Sequence, residues 1–159
     1  MSALSIRRAH KGDEYLILTL LTELAAYEKL LDKFKITKDV IARDYLCEPP
    51  LLNCDLAYEG SAPVGICTWY WTYSSFAARR GIHLEDLFVR PSFRGKGYGK
   101  TLLAYLARRA VEGGGGHVAW EVLDWNKPSI DFYEGLGAKC IQNWFTYCLS
   151  DTALEKLAQ

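Results

Sequence analysis

Arg94-Gly95-Lys96-Gly97-Tyr98-Gly99 places three glycines at alternate positions, and this loop constrains the fold more than any other stretch. Before it, Gly81 to Val89 reads as a strand ending at Arg90-Pro91. After it, Leu102, Leu103, Leu106, Ala110 and Val111 repeat at helical spacing. Glycine removes the steric bar to positive φ and lets a ligand approach the backbone closely. Successive N–H groups then face one concavity, and the following helix adds about half a positive charge at its N-terminus. A diphosphate fits such a place. Two common nucleotide loops nevertheless miss. Gly99-Lys100-Thr101 would complete a Walker A motif, but its first glycine falls on Arg94. The dinucleotide form G-x-G-x-x-G would need glycine where Lys100 stands.

The rest of the chain predicts alternating elements. Leu4–Ala9 reads as a strand. Asp13 caps a helix carrying Leu16, Leu20, Leu24 and Tyr27, and a second helix runs from Thr37 to Leu46, before Pro49-Pro50. Asp55–Glu59 and Val64–Tyr73 form a hairpin through Gly60 and Pro63. Gly113 to Gly116 end the helix that follows the glycine loop. His117–Leu123 reads as a strand, Asn126–Leu136 as a helix with Asn126 as its cap, Lys139–Leu149 as two closing strands, and the last residues as a short helix. The hairpin among alternating strands and helices predicts a mixed α/β sheet rather than a purely parallel one.

Composition narrows the partners. A chain of 159 residues suits one domain, spanning 1–159. Lys plus Arg equals Asp plus Glu at 19 each, which gives no broad electrostatic reason to hold nucleic acid or an anionic membrane. Met1 to Arg8 lack a signal peptide's apolar run, and the stretch from Leu16 to Leu21 is too short to span a bilayer. The five cysteines are odd in number and contain no C-x-x-C pair, so free thiols in a reducing cytoplasm are expected. His10, His83 and His117 are scattered without metal-ligand spacing, and no metal is expected.

Arg94 to Gly99 resembles the pyrophosphate loop of the GNAT superfamily of N-acetyltransferases. Leu84-Glu85-Asp86-Leu87-Phe88-Val89-Arg90-Pro91 resembles its central strand, Val122-Leu123-Asp124-Trp125-Asn126 its second cofactor strand, and Asn126 to Ala138 its terminal motif. Glu23-Leu24-Ala25-Ala26-Tyr27-Glu28-Lys29 extends the likeness to the diamine (spermidine/spermine) and thialysine acetyltransferases. The resemblance implies the GNAT fold: a mixed, mostly antiparallel sheet of about seven strands flanked by about four helices. It also implies acetyl-CoA as co-substrate, a small amine as acceptor and a homodimer, which the aromatic run Trp69, Tyr70, Trp71 and Tyr73 would suit if exposed.

Acetyl transfer to an amine needs a held thioester, a polarised carbonyl, a neutral amine and a proton for the leaving thiolate. A free alkyl amine has a pKa near ~10.4, so only about one molecule in 2,500 is neutral at pH 7. A carboxylate that accepts the proton meets this need. By resemblance, Leu87, Phe88 and Val89 offer backbone amides to the acetyl carbonyl and pantetheine. Arg94, Gly95, Lys96, Gly97, Tyr98, Gly99 and Lys100 hold the pyrophosphate, and Asn126, Lys127 and Ser129 line the cofactor's other side. Tyr133 matches the tyrosine that protonates the thiolate. Glu85 handles the amine, with Tyr27 and Glu28 on the substrate side. The chain also departs from the diamine enzymes: Lys139 to Asn143 contains no acidic residue before Trp144, and Glu121 is the candidate replacement. A non-catalytic acetyl-CoA-binding module and a protein or peptide N-acetyltransferase are the alternatives. Retention of Tyr133 and Glu85 weighs against the first.

Overall fold

The computed structural model describes residues 4–159; the first three residues of the N-terminal stretch read for a leader lie outside them. Five strands form one sheet in the order β1 (Leu4–Arg8), β2 (Asn53–Glu59), β3 (Ala62–Ser74), β4 (Arg79–Val89) and β5 (Val118–Ala119). The first three pairings are antiparallel and β4–β5 is parallel, the mixed sheet that the hairpin predicts. Helices α1 (Glu14–Tyr27), α2 (Lys38–Asp44) and α3 (Tyr98–Glu112) belong to the same compact unit, which ends at Leu123. Residues Asp124–Gln159 form a second unit with α4 (Lys127–Gly135) and α5 (Asp151–Leu157).

Two apolar layers sandwich the sheet. Ile17, Leu20, Leu21 and Leu24 of α1 and Ile41 of α2 bury against Cys54, Leu56, Ile66 and Phe88. On the opposite face, Tyr98, Leu102, Leu106 and Ala110 of α3 bury against Val64, Cys67, Trp69, Ile82 and Leu84. Each such aliphatic side chain contributes about 1.5–3 kcal/mol when fully buried. Asp13 stands at the head of α1 as expected, but its carboxylate does not cap the helix. It takes two hydrogen bonds from Arg7, at 2.7 and 2.8 Å, and one from the His10 amide. Thr37 does cap α2, accepting from the Val40 amide at 3.3 Å.

The register of β3 and β4 contains an irregularity with consequences for the site. Thr68 pairs with Asp86 while Trp69 pairs with Leu84, so Glu85 has no partner across the ladder. Glu85 is the extra residue of a β-bulge. Ahead of the bulge, Ile82 and Leu84 pack toward α3; after it, Phe88 packs toward α1 and α2. The strand has slipped by one residue, so even-numbered positions change face.

The bulge also explains a short strand. His117–Leu123 is expected as a strand, but only Val118 and Ala119 pair, with Ile82 and His83. The parallel ladder stops where β4's outward-facing groups change phase. The two closing strands expected within Lys139–Leu149 do not form: residues 139–150 contain only a turn at Gln142-Asn143. Eleven residues without a glycine or proline turn offer at most five per strand, and a lone two-stranded ribbon is marginal in water. Among the described residues the sheet therefore has five strands rather than about seven.

Candidate active site

The glycine loop has the geometry its composition requires. Gly95 and Gly97 adopt φ of 78° and 81°, which only glycine takes without strain, and a Cβ built on either meets nothing within 4 Å. Gly97 then stands at the N-cap of the 15-residue helix α3, with Gly99 inside its first turn. Open space over backbone amides at a helix N-terminus fits a diphosphate group. The side chains of the loop are otherwise engaged. Lys96 Nζ pairs with Glu59 at 2.9 and 3.1 Å, and the Tyr98 hydroxyl donates to the same carboxylate. The Tyr98 and Lys96 hydrogen bonds hold the Glu59 carboxyl below its ordinary range. Lys100 is exposed on the first turn of α3. The Arg94 guanidinium lies 4.5 Å from the Tyr27 ring centroid, and its Nε donates to Val89 O at 2.9 Å.

The bulge sets which backbone groups face outward. Ile82 N donates to His117 O on the β5 side, at 3.0 Å, whereas Arg90 N donates to Val64 O on the β3 side, at 2.9 Å. Both are even-numbered and would point the same way along an unbroken strand. Past the bulge, Leu87 and Val89 therefore turn their amides to the edge of β4 beyond the end of β5. Phe88, expected beside them, turns its amide into the ladder opposite Ile66 and buries its ring. Of the three expected backbone donors, the strand geometry supports Leu87 and Val89.

Glu85 and Asp86 are neighbours in sequence and would ordinarily point to opposite faces. The bulge brings both to the face of α1 and α2. Asp86 accepts a hydrogen bond from the Thr68 hydroxyl, and burial together with the charge of Glu85 raises its carboxyl above the ordinary range. Glu28, just past α1, is half-buried; burial and the neighbouring Asp86 raise its carboxyl too. Burial, then Asp86 and other acidic neighbours including Glu85, push the Tyr45 hydroxyl up as well. Glu28 is thus not a solvated helix residue paired with lysine. It belongs to an acidic cluster with Glu85 and Asp86, and Asp86 was not among the expected site residues. Glu23 of the same segment takes a structural role: Arg90 forks onto it at 2.7 and 2.8 Å and also donates to Pro63 O.

Glu121 is 80% exposed, and its Oε2 lies 3.1 Å from His83 Nε2. Glu85 Oε2 lies 3.6 Å from the same nitrogen. The His83 ring stacks on Tyr70 with centroids 4.8 Å apart.

The second unit holds the remaining expected residues. Asn126 is buried and precedes α4, but its side chain makes no capping hydrogen bond; its carbonyl instead accepts from the Ser129 and Ile130 amides. Lys127 pairs with Asp131 at 2.6 Å along the helix. Tyr133 lies on α4 with its ring against Phe132, at 5.2 Å between centroids.

A model of the acetyltransferase (GNAT) family matches residues 20–138, from α1 through the glycine loop and α4. The chain belongs to this family. It is an acetyltransferase, and enzymes of the family use acetyl-CoA as co-substrate. The thialysine N-epsilon-acetyltransferase of Sus scrofa is 35% identical, over 99% of both chains. Spermidine/spermine N(1)-acetyltransferase-like protein 1 of Homo sapiens is 33% identical over 87% of this chain and 21% of its own length. A solved integron cassette protein from the mobile metagenome of V. cholerae superposes with a TM-score of 0.83 at 26% identity, covering 100% of this chain and 99% of the other. Among the described residues, no helix is long and apolar enough to cross a membrane.

Proposed function

We propose that this acetyltransferase moves the acetyl group of acetyl-CoA to a primary amine of a small molecule, a di- or polyamine or a thialysine-like amino acid, by direct attack of the amine. The observation that carries this reading is the bulge at Glu85. It puts Glu85 and Asp86 on one face together with Glu28, while turning the Leu87 and Val89 amides to the open edge of the same strand. A cationic acceptor suits the acidic wall. Acetyl-CoA, when bound, supplies the activated acyl group.

Each residue then has a task. Glu85 accepts the ammonium proton, directly or through water, because only the neutral amine has a lone pair to attack with. Leu87 and Val89 donate to the acetyl carbonyl and pantetheine, and Gly95 to Lys100 offer backbone amides to the pyrophosphate. Asn126, Lys127 and Ser129 line the cofactor, and Tyr133 returns a proton to the leaving thiolate. Free phenols, near ~10, and thiols, near ~8.5, are close enough in acidity for such a proton transfer. Glu28, Asp86 and Tyr27 shape the acceptor side. The whole-length similarity to thialysine N-epsilon-acetyltransferases supports the amine class. The family match, which runs across both compact units, supports a single catalytic domain over 1–159. A cytoplasmic homodimer completes the reading.

The test is acetyl-CoA turnover, followed as thiol release, on spermidine, spermine, putrescine, thialysine, lysine and a short peptide, with each product confirmed by mass. Turnover on a small amine is expected, and Tyr133→Phe should lower kcat by roughly 10²-fold while retaining acetyl-CoA binding. Tight acetyl-CoA binding with no turnover would favour a regulatory binder, and turnover on the peptide alone would favour a protein acetyltransferase.

A further inference from the structure

Among the described residues, His83 makes ion-pair contact with Glu85 of the proposed acceptor side and with Glu121, and nothing in the proposed chemistry uses it. Its Nε2 faces two carboxylates at once, Glu121 at 3.1 Å and Glu85 at 3.6 Å. A ring nitrogen between two carboxylate oxygens serves as a donor. The contact is oriented rather than incidental. His83 is only 16% exposed at its side chain, stacked on Tyr70 of β3 and held in register with Ala119 of β5. The Tyr70 hydroxyl is raised by burial and then by both Glu85 and Glu121, which places the two carboxylates on this one spot. Other ionisable groups flank this spot: toward the start of β4 the His117 ring covers Gly81 and the Arg79 guanidinium covers Gly116, and past the bulge stand Asp86, Glu28 and Tyr45.

An ammonium at one end of a diamine would seek the two carboxylates that His83 Nε2 already faces, Glu85 and Glu121, both of which stay exposed. We propose that His83 sets how many positive charges the acceptor carries: as imidazolium it neutralises the two carboxylates and the site takes amines bearing a single positive charge, and as neutral imidazole it leaves their charge to a second ammonium. The inference rests on the amine acetyltransferase reading above. It also gives Glu121 a use different from the one its sequence position suggests, since the residue meets the substrate through competition with an internal cation.

The experiment compares butylamine with 1,4-diaminobutane, which share one four-carbon chain, at saturating acetyl-CoA from about pH 5.5 to 8, across the histidine range. Deprotonation of the attacking amine affects both substrates and largely cancels in the ratio of their kcat/KM values. For the unmodified enzyme the diamine-to-monoamine ratio should rise with pH. His83→Phe keeps a ring on Tyr70 and removes both nitrogens. It should flatten that rise and lower the diamine KM at the acid end by about two- to fivefold, with monoamine kcat within twofold, the scale of one partly exposed charge pair. Glu121→Gln, at an exposed position where folding is not at stake, should raise the diamine KM more than the monoamine KM. A flat ratio in the unmodified enzyme, or equal shifts for both amines in His83→Phe, overturns the inference while monoamine turnover keeps the acetyltransferase reading intact. Loss of turnover on every amine overturns both.

Discussion

Each face of the sheet carries an aspartate, one fully buried and one half-buried, and they are treated in opposite ways. On the α3 face, Asp55 is fully buried and both of its oxygens are satisfied, by Trp69 Nε1 at 2.7 Å and the Tyr105 hydroxyl at 2.9 Å. On the α1 and α2 face, Asp86 has one donor, Thr68, and its charged neighbours are Glu85 and Glu28. The first arrangement fixes strand to strand to helix. The second keeps a negative charge where the protein gives it little compensation, a state that costs stability and attracts cations. Burial of a carboxyl alone therefore does not set its charge apart here; the deficit of donors around it does.

Three substitutions would break or sharpen that contrast. The largest effect is expected from Asp55→Ala, which strands the Trp69 and Tyr105 donors in the interior. It should cost about 3 kcal/mol and roughly 10 °C in Tm by thermal unfolding, with kcat of the folded enzyme near the unmodified value. Asp86→Asn should act the other way round. The Asp86 carboxyl lies above its ordinary value in the folded chain, so the folded state binds the proton more tightly. The stability this provides is present at low pH and is lost as pH rises through the folded value. Asp86→Asn should therefore match or exceed the unmodified Tm at pH 8, with the difference shrinking toward pH 5. Its kcat/KM for the amine should fall about tenfold, the usual scale for one lost charge contact. The smallest effect is expected from Thr68→Val, which removes the donor that holds Asp86 down. The acid limb of kcat/KM for the amine should move to higher pH with little change in its plateau. An unmoved limb would mean that Asp86 does not govern acceptor binding.

Much of this was legible from the residues. The glycine loop announced a helix start and a turn through positive φ because its constraint is local: three residues free of Cβ at fixed spacing. Helix α1 was readable from its apolar repeat. What failed was non-local. Asp86 escaped notice because strand alternation assigns adjacent carboxylates to opposite faces, and the bulge that overrides it carries no glycine or proline to flag it. His83 was weighed only as a metal ligand, since its partner Glu121 is 38 positions away and joins it only through the parallel pairing of β4 with β5. The closing strands were expected within Lys139–Leu149, but a strand also requires a ladder to join.

The bulge makes β4 a sentence read in two frames. Everything before Glu85 is spelled for one face and everything after it for the other, so deleting this single residue would exchange inside for outside over half the strand. Substitution can change what stands at position 85, but the count of residues there is fixed. Variation at this place is thereby channelled into the side chains around the bulge, while the outward-facing Leu87 and Val89 amides, which depend on the same phase, stay unchanged.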